Sequence, residues 1–202
     1  TALSERMGAS DMVSILNSYF ADMVDVVFEN NGTLDKFIGD AIMAVFGAPF
    51  QSSDDADNAV RAANDMMRRL LESNIARRAN GLPEIDIGIG IDSGSAVAGT
   101  IGSPRRMEYT VIGEHVNLAA RIESINKFYG TNILLSEYTK NVLRSDCLVR
   151  EIDLVRVPGA EAPVRIFEAL DFHSEATFPE LERCLEQFAA GLEAYRARSW
   201  RE

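Results

Sequence analysis

The chain has 202 residues and a net charge of −11 at pH 7, with 47% hydrophobic and 25% charged residues. These values are typical of a globular protein with one large domain or two small ones and a buried core. The acidic balance argues against binding to nucleic acid or to an anionic membrane, because both need a basic surface. An anionic small ligand is still compatible, since a bound divalent metal can supply positive charge.

The two cysteines, Cys147 and Cys184, do not have the spacing of a metal site. They are interpreted as reduced thiols, which predicts a cytoplasmic domain. The sequence has no signal peptide and no apolar run of about 18 residues, so no direct membrane contact is expected. Because the chain starts without methionine and stops inside a helical pattern, we expect regulatory domains elsewhere in a larger parent protein.

Periodicity and turn residues predict an irregular alternation of helices and short strands. A first amphipathic helix begins near Ser10 and ends near Gly32, and the pair Gly39-Asp40 then joins strands 33–38 and 41–46, which is typical of a hairpin. The later predicted elements are, in chain order, a helix over 56–79, strands over 84–92, 95–102 and 109–113, a helix over 114–128, a strand over 133–135, a short helix from Ser136, strands near 148–157 and 164–169, and a helix over 179–195.

Hairpins placed among helices indicate an α+β fold, in which a mixed sheet has helices mostly on one face. The last predicted helix is amphipathic and follows a linker at 171–177. It either caps the domain or forms a connector or dimer-forming helix, and the sequence favours neither.

The hairpin stretch GTLDKFIGDAIMAVFGAP has a carboxylate at its tip and a cation on its first strand. Turn preference alone explains Asp40 at the tip, but a carboxylate at the end of two buried strands is also a good Mg²⁺ ligand. Strand alternation places Lys36 on one face with Leu34 and Ile38, where a lysine needs either a partner or a sheet edge. Both charged residues are therefore candidates for a binding site.

Further polar candidates lie in and before the helix over 114–128. Asn117 and Arg121 are four residues apart, so they point the same way and offer donors to phosphate or sugar oxygens. The alternative is a polar pair on a solvated face. Thr110 precedes this helix in a short strand. His115 lacks His or Cys neighbours at ligand spacing and is interpreted as an ordinary polar residue.

Five glycines lie between residues 88 and 102. They do not form a phosphate-binding loop, because no Lys-Ser/Thr pair follows them. They indicate instead that backbone or a partner packs closely against the sheet.

The hairpin stretch and the later stretch GIGIDSGSAVAGTIGSPRRMEYTVIGEHVNLAARIES together resemble the class III nucleotidyl cyclase catalytic domain, of the bacterial adenylyl cyclase type. The resemblance covers roughly residues 1–170, followed by the linker and C-terminal helix over 171–202. It implies a palm-like (ferredoxin-like), mixed and mainly antiparallel sheet with flanking helices. It also implies a head-to-tail homodimer with the active sites at the interface.

The resemblance further implies a role for each candidate residue. Asp40 is one of two aspartates that bind two Mg²⁺ or Mn²⁺ ions. Lys36 recognises the purine base, and Thr110 is its partner. Asn117 positions the ribose, and Arg121 stabilises charge on the phosphates in the transition state. One chain supplies Asp40, and the other supplies the remaining four residues.

The implied reaction is attack of the ribose 3′-hydroxyl on the α-phosphate of ATP, with pyrophosphate as the leaving group. Lys36 can donate to N1 of adenine, and the Thr110 hydroxyl can accept from its amino group. Guanine reverses both groups, and a guanylyl cyclase is expected to have an acidic residue where Lys36 stands. ATP is therefore the favoured substrate.

Two features depart from the family pattern. The family's other metal-binding aspartate lies in a strand whose motif would end at Thr1, so we expect this chain to lack that strand and to turn over ATP negligibly by itself. Pro158 stands where the family usually has a lysine that contacts the triphosphate. Arg156, two residues earlier, is either its substitute on the same strand face or an exposed strand arginine.

Three other functions compete with the adenylyl cyclase hypothesis. A diguanylate cyclase of the related fold is expected to have a Gly-Gly-acidic hairpin, whereas this chain has Ile38-Gly39-Asp40. A degenerate cyclase domain that only binds nucleotide or dimerises is favoured by Pro158 and by the expected loss of the first strand. A guanylyl cyclase is disfavoured by Lys36.

Overall fold

The computed structural model describes residues 9–157 and 162–199. Among these residues, no helix combines the length and the apolar character that a membrane span requires. The helices and strands are α1 (Ala9–Glu29), β1 (Thr33–Ile38), β2 (Ala41–Val45), α2 (Asp55–Ala79), β3 (Ile89–Ile91), β4 (Val97–Ser103), β5 (Arg106–Ile112), α3 (Glu114–Tyr129), β6 (Ile133–Ser136), α4 (Glu137–Val142), β7 (Val149–Val155), β8 (Val164–Ala169) and α5 (Leu181–Arg196).

The strands pair in a mixed but mainly antiparallel manner. A four-stranded sheet has the order β3-β6-β8-β7, in which only β3 and β6 run parallel. The other strands form two antiparallel hairpins, β1-β2 and β4-β5. The predicted α+β class, with its mixed sheet, flanking helices and C-terminal helix, is confirmed.

Helices cover both faces of the four-stranded sheet. Successive strand residues point to opposite sides, and in β6 Ile133 and Leu135 pack with α1 and α2, whereas Leu134 packs with α3. Every residue of β6 is buried. The expectation that helices lie mostly on one face is therefore wrong. A continuous apolar strand is buried on both sides and needs a layer of helix against each.

Several strand boundaries differ from the predicted ones by one or two residues, and the starts of β3 and β5 differ more. The strand predicted over 84–92 is shorter, and β3 begins at Ile89. In its predicted first part, the amide and carbonyl of Ile85 hydrogen-bond to the Asn74 side chain on α2 and not to a neighbouring strand. β5 begins at Arg106, and its polar start pairs with β4 as far as Ser103. Alternation of apolar residues could not reveal those exposed residues as strand.

The C-terminal helix α5 packs against β7. The Arg150 guanidinium lies 4.8 Å from the ring centroid of Phe188, and Arg196 forms an ion pair with Glu151. No described residue of α5 is fully buried. These contacts are those of a helix that caps the domain, while the connector or dimer-forming role stays a prediction.

Both cysteines are free thiols, as predicted. Burial raises the pKa of Cys147 to about 12, and the neighbouring Asp171 carboxylate, which accepts a hydrogen bond from the thiol, adds to this shift. Cys147 therefore stays protonated at neutral pH.

Asp57 joins the start of α2 to the loop after α4. Its residue is 7% exposed, and its carboxylate accepts hydrogen bonds from the backbone amides of Arg144 and Ser145 and from the Ser145 hydroxyl. Burial works against ionisation here, but the hydrogen bonds from Ser145 and Arg144 outweigh it, and the net effect lowers the pKa of Asp57.

We predict that Asp57→Asn lowers the free energy of unfolding at pH 7 by about 1–3 kcal/mol, because buried donors lose a charged acceptor. An aspartate with a lowered pKa stabilises the fold above its unfolded pKa, and this contribution disappears as the pH falls through the folded pKa. The difference between wild type and variant should therefore narrow below about pH 4. Denaturant unfolding of both proteins at several pH values measures this difference in the free energy of unfolding.

Asp54→Asn is the matched control. The Asp54 carboxylate forms an exposed ion pair with Arg144, at 3.6 Å, and accepts an exposed hydrogen bond of 3.0 Å from the Ser53 hydroxyl, and exposed contacts of this kind contribute little to stability. Equal effects of the two variants, or a pH-independent difference for Asp57→Asn, would contradict the role assigned to Asp57.

Candidate functional site

The tip of the β1-β2 hairpin presents Asp40 to solvent. The turn contains Gly39 at φ 64°, a conformation that glycine adopts without strain. In the part of the chain that the structure describes, the Asp40 side chain forms no hydrogen bond or ion pair, yet its charge acts on two residues. Burial raises the pKa of Tyr19, on α1, to about 12, and Asp40 adds to the shift. Burial and then Asp40 likewise raise the pKa of Glu123, on α3.

A β-bulge in β1 changes the expected position of Lys36. The pairing with β2 shifts between Leu34, which faces Ala44, and Lys36, which faces Met43. Since adjacent residues of β2 point to opposite faces, Lys36 and Leu34 also lie on opposite faces. The prediction that Lys36 and Ile38 share a face is confirmed. The prediction that Lys36 and Leu34 share a face is wrong, because the extra residue Asp35 interrupts the alternation of the strand.

The bulge brings Asp35 and Lys36 to Thr110 of β5. The Thr110 hydroxyl donates a hydrogen bond of 3.0 Å to Asp35 Oδ2, and Lys36 Nζ lies 3.5 Å from the same oxygen. Lys36 Nζ is also 3.8 Å from Oε2 of Glu108. The structure thus places the predicted pair of Lys36 and Thr110 in one cluster, within a single chain, with Asp35 between them.

An open depression of about 450 Å³ lies over this cluster. Its volume is within the range of small-molecule sites. Asp35 and Lys36 line it, and the Thr110 hydroxyl is hydrogen-bonded to Asp35 next to it. The other lining residues are Phe37, Arg106, Glu108 and Tyr109. Arg106 binds Glu108, and this ion pair lowers the pKa of Glu108, with a smaller contribution from Lys36.

Asn117 and Arg121 lie one turn apart on α3, as predicted. Asn117 is exposed and Arg121 is half-buried, so both side chains are accessible. Leu118 and Ile122, next to them in sequence, hold the helix in the core. The helix thus presents an amide and a guanidinium beside its buried face.

Two contacts fix α3 on the sheet. A Cβ at Gly90 would lie 2.3 Å from the Ala119 carbonyl oxygen and from the Glu123 amide nitrogen, so only glycine allows this approach. The buried Asp92 carboxylate lies 2.7 Å from Nδ1 of His115 and also accepts the Ser136 hydroxyl proton. The predicted close packing is confirmed at Gly88, Gly90, Gly94 and Gly102, but a Cβ at Gly99 would meet nothing within 4 Å. His115 anchors the helix start.

Arg156 is not brought to the other candidates. It is exposed and follows Val155, the last residue of β7, so it lies beyond the strand on which it was predicted. Among the described residues, no hydrogen bond or ion pair joins its side chain to the other predicted site residues. Pro158 and Thr1, on which two departures from the family pattern rest, lie outside the described residues.

A divalent cation is compatible with Asp40, although no group of three or more His, Cys, Asp or Glu side chains within 9–157 and 162–199 forms a metal-ligand cluster. Asp40 is an exposed carboxylate whose negative charge raises the pKa of its neighbour Glu123. A cation there would offset this repulsion. One or two carboxylates with substrate phosphates are a usual Mg²⁺ ligand set.

Sequence reasoning missed Asp35, Glu108 and Glu123. The signal for Asp35 was an aspartate between Leu34 and Lys36, inside a strand otherwise read as alternating. Its side chain is 5% exposed, and a carboxylate so buried needs partners. Nothing in the local sequence identifies Thr110, 75 residues away, as that partner.

The chain is similar to known cyclases. The model of the family described as the adenylate and guanylate cyclase catalytic domain matches residues 1–168. Adenylate cyclase 1 of Rhizobium meliloti (strain 1021) is 34% identical over 170 residues, which span 84% of this chain and 26% of that relative. The crystal structure of the guanylyl cyclase Cya2 has a TM-score of 0.76 and 38% identity, and covers 83% of this chain and 84% of its own. The crystal structure of the adenylyl cyclase CyaB from P. aeruginosa has a TM-score of 0.78 and 31% identity, and the match covers 88% of this chain and 90% of that one.

We predict that Asp40→Asn lowers the pKa of Glu123. The shift should be partial, because burial is the larger cause and remains. Addition of Mg²⁺ to the wild type should act in the same direction if Asp40 holds the ion. A carboxyl-carbon NMR titration of Glu123 measures both effects. Glu108→Gln is the control and should leave this titration unchanged. An unaltered Glu123 in Asp40→Asn would show that the two carboxylates do not interact.

Proposed function

Because this chain belongs to the adenylate and guanylate cyclase catalytic domain family, we propose that it is an adenylyl cyclase domain that converts ATP into cyclic AMP and pyrophosphate. The observation that carries the choice of ATP is the cluster in which Asp35 holds Lys36 and Thr110 together. Similarity to known cyclases does not by itself indicate whether the substrate is ATP or GTP, since the similar structures include a guanylyl and an adenylyl cyclase.

Base choice is a matter of hydrogen-bond polarity. The Lys36 ammonium is only a donor, which suits N1 of adenine, whereas N1 of guanine carries a hydrogen. The Thr110 hydroxyl can accept from the adenine amino group. With guanine, the hydrogen on N1 faces the Lys36 donor and O6 faces a hydroxyl whose proton is donated to Asp35, so neither contact with the base forms, at a cost of about 1–3 kcal/mol for each.

Asn117 and Arg121 act on the ribose and the phosphates. The 3′-oxygen forms a bond to the α-phosphorus. The bond from this phosphorus to the oxygen that bridges to the β-phosphate breaks, so pyrophosphate leaves, and the hydroxyl proton passes to solvent water. Asn117 orients the ribose for this in-line attack, and positioning of this kind supplies much of the rate. The Arg121 guanidinium donates to phosphate oxygens on which charge increases in the transition state.

Asp40 is the residue of this chain that would hold a divalent metal. The family resemblance implies two Mg²⁺ or Mn²⁺ ions for each site, which when bound polarise the phosphate and lower the pKa of the attacking hydroxyl. The exposed position of Asp40 and its effect on Glu123 support this assignment.

The proposed working unit is a head-to-tail homodimer with two shared sites. Asp40 of one chain would face Lys36, Thr110, Asn117 and Arg121 of the other. The accessibility of Asn117 and Arg121 on α3 is consistent with their facing a second chain. A cytoplasmic location, regulatory domains in the parent protein and low activity of the 202-residue chain alone stay predictions. A role for Arg156 at the triphosphate also stays a prediction.

A degenerate domain that binds nucleotide without turnover is the second candidate. The observation that favours it is Pro158 at the position of the family's usual lysine. Cyclic AMP formation by the full-length protein, with Mn²⁺ present and the product identified by mass, separates the two functions.

We predict that Asp40→Ala and Arg121→Ala each reduce cyclic AMP formation by at least roughly a hundredfold in the full-length protein, because each removes stabilisation of developing charge. An equal mixture of the two variants should recover about a quarter of wild-type activity, because half of the dimers are mixed and each has one intact site. Activity of mixed and unmixed samples is the measurement.

The matched control is a mixture of Asn117→Ala and Arg121→Ala. Both residues come from the same side of the shared site, so a mixed dimer has no intact site and should stay inactive. Recovery in this control, or none in the first mixture despite demonstrated mixed dimers, would contradict the shared site.

We predict that Lys36→Glu combined with Thr110→Cys changes the preferred nucleotide from ATP to GTP, because a carboxylate accepts the hydrogen on guanine N1 and a thiol is only a weak acceptor for the adenine amino group. Rates of cyclic AMP and cyclic GMP formation measure the preference. Lys36→Met with Thr110→Cys is the control and should lose ATP use without gaining GTP use. A wild type that uses both nucleotides equally would contradict adenine selection by these residues.

A further inference from the structure

The hydrogen bond between Thr110 and Asp35 restricts what the threonine hydroxyl can bind. A hydroxyl has one donor proton and two acceptor lone pairs, so by itself it can pair either with an amino group or with a carbonyl. An isolated threonine in a base-binding site therefore does not distinguish adenine, with an amino group at C6, from a base with a carbonyl there.

In this chain the Thr110 proton already has an acceptor. It is donated to Asp35 Oδ2 at 3.0 Å, and the Lys36 ammonium lies 3.5 Å from the same oxygen. An ionised carboxylate has no proton to give, so Asp35 can only accept. Both Thr110, at 8% exposure, and the Asp35 side chain, at 5%, are shielded from water that could replace this bond. Any further partner of the hydroxyl must then be a donor.

The bulge in β1 is what allows this arrangement. Without the extra residue, Asp35 and Lys36 would point to opposite faces of the hairpin, but both side chains meet at the Asp35 Oδ2 atom. The aspartate thus contacts both predicted base-reading residues at once. Glu108 contacts only Lys36, at 3.8 Å, and its side chain is 46% exposed.

We propose that Asp35 is a positioning residue for base selection, which holds the Thr110 proton and so makes Thr110 an acceptor for the 6-amino group of the purine. This inference rests on the proposed function and adds a residue to which the family resemblance gives no role. Asp35 acts through Thr110 and not by contact with the base.

The test compares ATP with inosine triphosphate in the full-length protein. Inosine has a carbonyl at C6 and a hydrogen on N1, and it lacks the 2-amino group of guanine, so steric exclusion of that group plays no part. The readout is the ratio of kcat/KM for ATP to that for inosine triphosphate. Affinities for 3′-deoxy-ATP and 3′-deoxyinosine triphosphate, which lack the attacking hydroxyl, give the same ratio without turnover.

In Asp35→Ala, the freed hydroxyl can donate to a carbonyl, and the ratio should fall by roughly tenfold, the effect of one hydrogen-bond mismatch. Leucine branches at the same carbon as aspartate and also lacks an acceptor, so Asp35→Leu should lower the ratio by a similar factor. It replaces Asp35→Ala in the test if the alanine variant does not fold. Asp35→Asn should keep the ratio within about threefold of wild type, because Lys36 favours the amide oxygen at the Oδ2 position. Glu108→Gln removes the other carboxylate near Lys36 but keeps the hydrogen bond from Thr110 to Asp35, so it should lower the ratio much less than Asp35→Ala does.

A double-mutant cycle identifies the path of the effect. Thr110→Val should lower the ratio by itself, and Asp35→Ala should then have no further effect on it. A further fall in the double variant would show that Asp35 acts on base choice by a route other than Thr110, either directly or through Lys36, and this would overturn the proposal. An equal fall in Asp35→Asn, Asp35→Ala and Glu108→Gln would assign the effect to charge near Lys36 and would also overturn it.

The two hypotheses fail in different ways. A wild type that forms no cyclic AMP from ATP contradicts the proposed function, while the ratio of the two 3′-deoxy affinities still tests Asp35. A wild type that prefers ATP, with the same preference in Asp35→Ala and Asp35→Leu, contradicts this inference alone.

Discussion

The hydrogen bond from Thr110 to Asp35 joins two hairpins that share no strand pairing in the described part of the chain. Each hairpin is a two-stranded unit, and a unit of this size has little stability by itself. Asp35 is nearly buried, so its carboxylate must be satisfied inside the protein. This requirement places Lys36 of one hairpin beside Thr110 of the other and creates the depression over them.

The second half of the site depends on how closely α3 lies against β3. Gly90 removes the side chain that would otherwise hold the helix away, and His115 with Asp92 fixes its first turn. Since β5 ends at Ile112 and α3 begins at Glu114, the position of Thr110 and that of α3 are linked through one residue. The cluster of Asp35, Lys36 and Thr110, for which we propose base recognition, and the helix with Asn117 and Arg121 are therefore parts of one framework.

The site has many carboxylates, which is unusual for a site that we propose to bind an anionic nucleotide. Carboxylates at Asp35, Asp40, Glu108 and Glu123 accompany few cations, and the pKa of Glu123 is raised by burial and by Asp40. A triphosphate would be repelled from such a surface unless positive charge were added. This agrees with the proposed role of Asp40 as a metal ligand, and with a chain whose net charge of −11 itself offers no general attraction for nucleotides.

The sequence alone determined the element order, the α+β class, the hairpin tip at Asp40 and the shared side of Asn117 and Arg121, because these depend on periodicity and turn residues a few positions apart. It also led to Lys36 and Thr110 through the family resemblance. Only the tertiary structure decided that helices cover both faces of the sheet, that a bulge at Asp35 turns Lys36 away from Leu34, and that Arg156 lies beyond the end of β7. The physical reason is that a bulge and the partner of a buried carboxylate are set by residues distant in sequence, here 75 positions away, whose contacts leave no local pattern.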